Sequence, residues 1–486
     1  MSHEEGPAAK STRRSLLQSA ALGAAAAAAL PLGRLFSAEN ASAGAPSSLI
    51  IKGRMFSGGK IIESAVRIEN GLIREVSDRD LGAADRVVTL EPRQILLPAA
   101  VDTLCALRDW AEAPRDTVEA ATQAALAGGI TVVCDQSNTV PRINTSELAR
   151  RRSDFIAARS YVDFGVQPHP PVDPRDIARY PEAGAFAVSL WQWDLRPWNF
   201  PADVDDSAAA FRRYAELGLA GLVFPDELAF RMTSLDEVGE RYALEALLRR
   251  MVPEFRCRVF VTLPDSVELL LRSKDRFPNL LIQIAPHYLL MSREEAQKRI
   301  GVAAAHSPPL RSEGDVERLQ ALAADGKIDI LVSHHTPHRT VDKFSSVPIP
   351  GEFTPKAGFT SVDFAYPLCL SRLGIARTCK TFCENPAVHL GLKKGVIARG
   401  YEADLAIVEE RDEAPARGVH MSGGVSSSEA QIDPTQFHSL GKVTPFTGDR
   451  LKYRVLQTFL RGEQVYNAAT RTFVRAPIRQ IRSRAS

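Results

Sequence analysis

The chain has 486 residues, 45% of them hydrophobic and 24% charged, with 60 basic side chains against 58 acidic ones. That composition belongs to a globular protein long enough for one large or two moderate domains. A net charge of +2 offers no field to draw in a polyanion, so nucleic acid is not an expected partner.

In chain order, the first segment reads as an address rather than as fold. "STRRSLLQSAALGAAAAAALPLG" sets Arg13 and Arg14 before an Ala/Leu run with no charge until Arg34, and "ASA" at 41–43 supplies small residues for cleavage. This order predicts a twin-arginine signal peptide over residues 1–43 and a periplasmic location. The apolar run is too short and too rich in alanine for a durable membrane span, so none is expected after cleavage. The six cysteines (Cys105, Cys134, Cys257, Cys369, Cys379 and Cys383) form no CxxC pair. Three of them sit in apolar runs, which predicts burial as small apolar side chains rather than a disulfide framework.

From residue 48, "SSLIIKGRMFSGGKIIESAVRIENGLIREV" alternates apolar runs with Gly turns, the pattern of a β-meander. After residue 98 the pattern changes. "DTVEAATQAALA" precedes "GGITVVCDQSN", "DDSAAAFRRYAELG" precedes "LAGLVF", and "RVFVTL" precedes "DSVELLLRSKDRF". "LLIQIAP" is followed by "SREEAQKRI", and "EGDVERLQALAADG" by "IDILVSHH". Apolar strands alternating with helices at this frequency predict an α/β fold, a (β/α)8 TIM-like barrel over 98–393. After residue 394 the text returns to β in "KKGVIARGYEADLAIVEE" and "YRVLQTFLRGEQVYN". Segments 48–97 and 394–475 are therefore expected to form one small composite β-sandwich. The Ser/Gly-rich stretch at 411–436 reads as a loop.

The stretches "LLPAAVDTLCALRD", "AALAGGITVVCDQSNTVP", "QIAPHYLLMSREE", "SPPLRSEGDVERLQALAADGKIDILVSHHTPHRTVDK" and "CENPAVHLGL" carry a family likeness in their order and spacing. Over residues 48–475 the chain resembles dihydroorotases and the related cyclic amidohydrolases. The resemblance implies a metal-dependent barrel with a composite sandwich and hydrolysis of a cyclic amide C–N bond.

It also shows what this chain has replaced. In the family the first barrel strand ends Asp-x-His-x-His-x-Arg, and the two histidines hold the first metal. Here those positions are Leu104 and Ala106, while Asp102 and Arg108 remain. Leucine and alanine have no lone pair to give a cation. The family's bridging lysine falls at Val223, and the histidines of the following strands fall near Cys257 and Phe260. The aspartate that opens Asp-His-x-Pro-His is His334, so no catalytic residue is assigned. No metal cofactor is expected, and the mouth of the barrel should be metal-free, because a binuclear centre needs anionic ligands to make hydroxide near neutral pH.

The substrate-side residues survive better. Arg108, Asn138 and His338 match family positions that grip a substrate carboxylate, although the asparagine before Pro-Pro-Leu-Arg has become Ser307. As inherited scaffold, Arg108 would instead pair with Asp102, Asn138 would cap a loop and His338 would close a turn. His287, His334 and His335 offer an alternative metal set, with zinc as its cofactor. Adjacent strand side chains point to opposite faces, however, so His334 and His335 should diverge. The reading is an exported dihydroorotase-like protein, silent as a dihydroorotase, serving as a scaffold or as a subunit that binds a protein partner or a second copy. The alternatives are a binding protein for a small carboxylated or cyclic-amide ligand, and an amidohydrolase with an altered metal site.

Overall fold

The Gly-punctuated runs after residue 47 fold into β1 (Ser48–Ser57), β2 (Lys60–Glu69) and β3 (Leu72–Ser77), an antiparallel meander. Two further strands, β4 (Arg86–Thr89) and β5 (Gln94–Pro98), run parallel to β1. The structure is a computed structural model that describes residues 48–136, 138–191, 207–225, 236–344, 356–411 and 431–484. The expected signal segment at 1–43 lies outside these residues, as does 412–430 of the Ser/Gly-rich stretch.

Eight parallel strands then make the barrel. They are β6 (Ala100–Cys105), β7 (Ile130–Gln136), β8 (Asp163–Gln167), β9 (Ala187–Trp191), β10 (Ala220–Phe224), β11 (Cys257–Phe260), β12 (Leu280–Ile284) and β13 (Ile330–Leu331). Single bridges join the two arcs into a ring: Val166 with Ala185 between β8 and β9, and Cys105 with His335 between the end of the chain after β13 and β6. Nearly every residue in these strands is buried. That is the signature of a parallel sheet covered on both faces, and it explains why the strands read as unbroken apolar runs rather than alternations.

The helices between them begin on caps written into the sequence. Thr117 accepts from the Ala120 amide at the start of Val118–Ala127, and Ser312 with Asp315 closes a capping box on Glu313–Ala324. Two barrel strands, β8 and β9, were not singled out from the sequence, because "DFGVQ" and "AVSLW" are too short to show a period.

After the barrel, β14 (Leu405–Glu410), β15 (Tyr453–Leu460), β16 (Glu463–Asn467) and β17 (Thr472–Phe473) join the N-terminal strands. β14 pairs antiparallel with β5, so one nine-stranded sheet is built from both ends of the described chain. The two-residue period of a strand divides its side chains between two cores. On β5, Ile95 and Leu97 face the barrel while Leu96 enters the core of the sheet. On β14, Ala406 and Val408 face the barrel while Leu405 and Ile407 take the other side. All six cysteines are buried and free.

At the N-terminal end of the barrel, a buried ionic cluster fastens it to the sheet. Lys394 Nζ lies 2.9 Å from Asp163 at the start of β8, 3.1 Å from Glu402, and in closer contact with Asp404. Arg461 adds a 2.7 Å contact to Asp163, and Arg479 a 2.6 Å contact to Glu402. Burial alone would lower the lysine's affinity for its proton. Asp404, Asp163 and Glu402 outweigh it and hold the ammonium above its ordinary range.

Candidate functional site

The C-terminal end of a (β/α)8 barrel is where such folds place their chemistry, and β6 leaves the barrel there in an unusual way. Arg108, Asp109 and Trp110 all have positive φ, at 53°, 71° and 53°. Three consecutive non-glycine residues in this region cost about 1–3 kcal/mol each and persist only where the surroundings enforce them. Here Asp109 caps the following turn by accepting from the Trp110 amide, and it also accepts from the Val118 amide. Asp102 remains inside the barrel. It accepts from the Ser333 amide at 3.1 Å and from the Ser333 hydroxyl, tying the first barrel strand to the last. Its complete burial pushes the carboxyl up to about 6, against the opposing pull of the Ser333 hydrogen bonds.

Leu104, Val223 and Phe260 are at most 1% exposed and belong to the main core, and Ala106 is equally buried. Near the ends of β9, β10 and β11 several rings pack on one another. Trp191 stacks on Phe224 with centroids 4.3 Å apart, and Phe224 meets Phe260 at 5.4 Å. Phe260 in turn packs on His334 at 4.6 Å and edge-on to Tyr288 at 5.8 Å. The family's binuclear centre does not fit these residues. The aligned positions Leu104, Ala106 and Val223 present buried hydrocarbon, which offers no ligand to a cation.

Arg108, Asn138 and His338 do come together. The Arg108 guanidinium donates to the backbone carbonyl of Asn138 at 3.3 Å and lies 3.4 Å from His338 Nε2. It is not paired with Asp102, as the inherited-scaffold reading had it. Its ion-pair partner is Glu112 at 3.2 Å, with both side chains 6% exposed. The positive-φ turn carries Arg108 out of the strand and over the next turn, where a residue four positions on can reach it, while Ser333 takes up Asp102. Burial lowers the protonation range of Arg108, and Glu112 opposes that shift. His338 is held well below the usual imidazole range by burial first and by Arg108 next. A substrate carboxylate would therefore have to compete with Glu112 for the guanidinium.

The alternative metal set of His287, His334 and His335 is corrected by the structure. His335 Nε2 lies 3.1 Å from Asp116, and its Nδ1 accepts from the Ser361 and Val362 amides at 3.1 and 3.3 Å. Both ring nitrogens are engaged, so His335 has no lone pair to offer a metal. His334 turns the other way, helped by a positive φ of 48°. There it meets His287 and a residue the sequence reading passed over, His306. The ligand atoms of His287, His306 and His334 all lie within 4.8 Å of one another, and all three residues are buried. His306 belongs to the loop before "PPLR". The one sequence signal for it is its position beside that motif, next to Ser307. Burial lowers His287 to about 3 and drives His306 and His334 well below the usual range, so the three rings are neutral at pH 7.

No family model matches the chain. Among curated proteins it is similar to the dihydroorotase of Archaeoglobus fulgidus, 27% identical over 417 residues that cover 81% of this chain and 96% of the relative. The dihydroorotase of Thermococcus kodakarensis is 26% identical over 418 residues, covering 85% and 93%. Among solved structures, the L-hydantoinase (dihydropyrimidinase) of Arthrobacter aurescens superposes with a TM-score of 0.74 at 22% identity, covering 89% of this chain and 99% of that one. A D-hydantoinase gives 0.72 at 18%, covering 90% and 100%.

Over most of its length the chain is similar to dihydroorotases, and it shares the fold of the hydantoinases. Full-length coverage of these relatives places the differences inside a shared barrel rather than in a missing piece. Leu104, Ala106, Val223 and His334 lie toward the C-terminal ends of the barrel strands or just beyond them, the face where such barrels carry out their chemistry.

Proposed function

We propose that this chain does not hydrolyse cyclic amides and serves instead as a scaffold or partner-binding subunit. The observation that carries the reading is the buried hydrocarbon at the aligned ligand positions. Where a two-metal hydrolase needs lone pairs and anionic charge, Leu104, Ala106 and Val223 are buried in contact with core side chains. Two divalent ions placed there would repel each other without an anionic cage to offset them. The engagement of Arg108 by Glu112 favours this role over the capture of a small carboxylated ligand. No helix among the described residues is long and apolar enough to cross a membrane. The partner sought is a protein or a second copy of the chain.

The direct test is a hydrolysis assay on dihydroorotate, hydantoin and dihydrouracil with saturating zinc, cobalt or manganese. We expect no turnover above the metal-only control with any of the three. Turnover that depends on the protein and disappears in a Phe260→Ala or His334→Ala variant would overturn the reading.

The same proposal includes export through the twin-arginine route. Changing Arg13 and Arg14 to lysine should retain the precursor in the cytoplasm, because the receptor reads the guanidinium pair. Fractionation followed by immunoblotting checks this, and undiminished periplasmic protein from the double variant would contradict it.

A further inference from the structure

We infer that His287, His306 and His334 form a mononuclear site for one first-row divalent metal ion, built from a ligand set that avoids the degenerate positions on β6 and β10. This inference is independent of the non-hydrolytic reading and would stand if that reading failed.

Three observations carry it. The first is convergence: the donor atoms lie within 4.8 Å of one another, the one such cluster of His, Cys, Asp or Glu among the described residues. A tetrahedral site with metal–nitrogen bonds of about 2.0–2.1 Å needs nitrogens roughly 3.3 Å apart, so modest side-chain rotation would close the set. The second is unmet hydrogen-bonding capacity. Nε2 of His287, Nε2 of His306 and Nδ1 of His334 are buried without a hydrogen-bond partner among the described residues. Unpaired buried nitrogens are rare in folded proteins and call for an explanation such as an ion. Three of them on neighbouring rings share one.

The third observation is the arrangement behind the ligands. His306 Nδ1 lies 3.1 Å from the Pro308 carbonyl and 3.0 Å from the Tyr288 hydroxyl, and that hydroxyl itself donates to Pro308 O at 2.6 Å. The proton of the His306 ring is thereby fixed on Nδ1, and Nε2 presents its lone pair. His287 likewise hydrogen-bonds the His334 backbone, leaving Nε2 free. Metal-binding histidines are characteristically oriented in this way, through the ring nitrogen that does not bind. The rings of Phe260, Phe359 and Phe446 surround the cluster, with Phe359 4.6 Å from His306 and Phe446 6.4 Å from His287. Three neutral imidazoles leave the ion with its full charge and a fourth position for water or a small anion. The donor set suits zinc, copper, nickel or iron rather than magnesium or calcium.

The test uses the full chain, stripped with a chelator and then titrated separately with zinc and cobalt. Expected results are one equivalent bound, a rise in thermal midpoint, and the intense visible bands of tetrahedral cobalt without a sulfur charge-transfer band. The His306→Ala variant, shown folded by circular dichroism, should bind at least tenfold more weakly. No binding by the wild type, a sulfur charge-transfer band, or unchanged affinity in folded His306→Ala would each overturn the site. If His306→Ala does not fold, the cobalt spectrum of the wild type decides alone: nitrogen-only tetrahedral ligation supports the site, and any other spectrum rejects it.

Discussion

Replacing Lys394 with alanine lowers the unfolding free energy by about 3–5 kcal/mol, the usual cost of removing one partner from a buried ionic group. The lysine is 3% exposed and lies between Asp163, Glu402 and Asp404. Without it, three carboxylates share the space with Arg461 beside Asp163 and Glu402 and the more exposed Arg479 on Glu402. Lys394→Met separates charge from volume. It restores the hydrocarbon and leaves the repulsion, so it should be nearly as damaging as alanine. The sign with pH follows from the raised proton affinity of Lys394 in the fold. Its stabilisation is fully present below the ordinary lysine range and is lost as pH rises through the folded value. The deficit of either variant should shrink as pH falls through the carboxylate range, because protonation relieves the repulsion. Urea midpoints at pH 7 and pH 5 check this. A loss below 1 kcal/mol at pH 7 would show that the barrel and the sheet are held by their apolar contacts alone.

Phe260→Ala should also cost about 3–5 kcal/mol, the range for deleting a large aromatic ring from a packed core. Phe260 touches Phe224, Tyr288 and His334 and is 1% exposed. The measurement says more than a core substitution usually does, because the ring stands at the face where a working barrel keeps an open cleft. If the mouth is a filled core, the variant leaves a cavity and loses stability accordingly. A loss below 1 kcal/mol in urea unfolding would mean that the space beside Phe260 is already solvated, as a substrate cleft would be.

The barrel was legible because its parallel strands are buried on both faces and spaced by helices with evident caps. The composite sheet was legible because the β1–β2, β2–β3 and β15–β16 hairpins turn on glycines. Strand alternation predicts that His334 and His335 diverge; they do, but both lie beyond β13, and the left-handed backbone at His334 helps send one ring into the cluster while the other bonds to Asp116. Other features had no local signature. His306 reaches His334 across 28 residues of sequence, and no period or spacing links a loop residue to a strand end so far away. The pairing of Arg108 with Glu112 depends on three positive-φ residues that have no glycine to announce them. The sequence pattern placed Arg108 on an extended strand next to Asp102, and the turn moved it out. The aromatic packing was hidden for a similar reason. Trp191, Phe224 and Phe260 each look like ordinary strand residues, and they come together only when three strands converge.

The central claim is that this chain holds no binuclear centre at the mouth of its barrel. It is tested most directly by anomalous scattering at the zinc edge from crystals of the protein grown with zinc. The account predicts no peak beside Leu104, Ala106 or Val223, and at most one ion, seated between His287, His306 and His334. Two peaks about 3.5–4 Å apart, the spacing of a two-metal hydrolase, lying against the ends of β6 and β10 would contradict it.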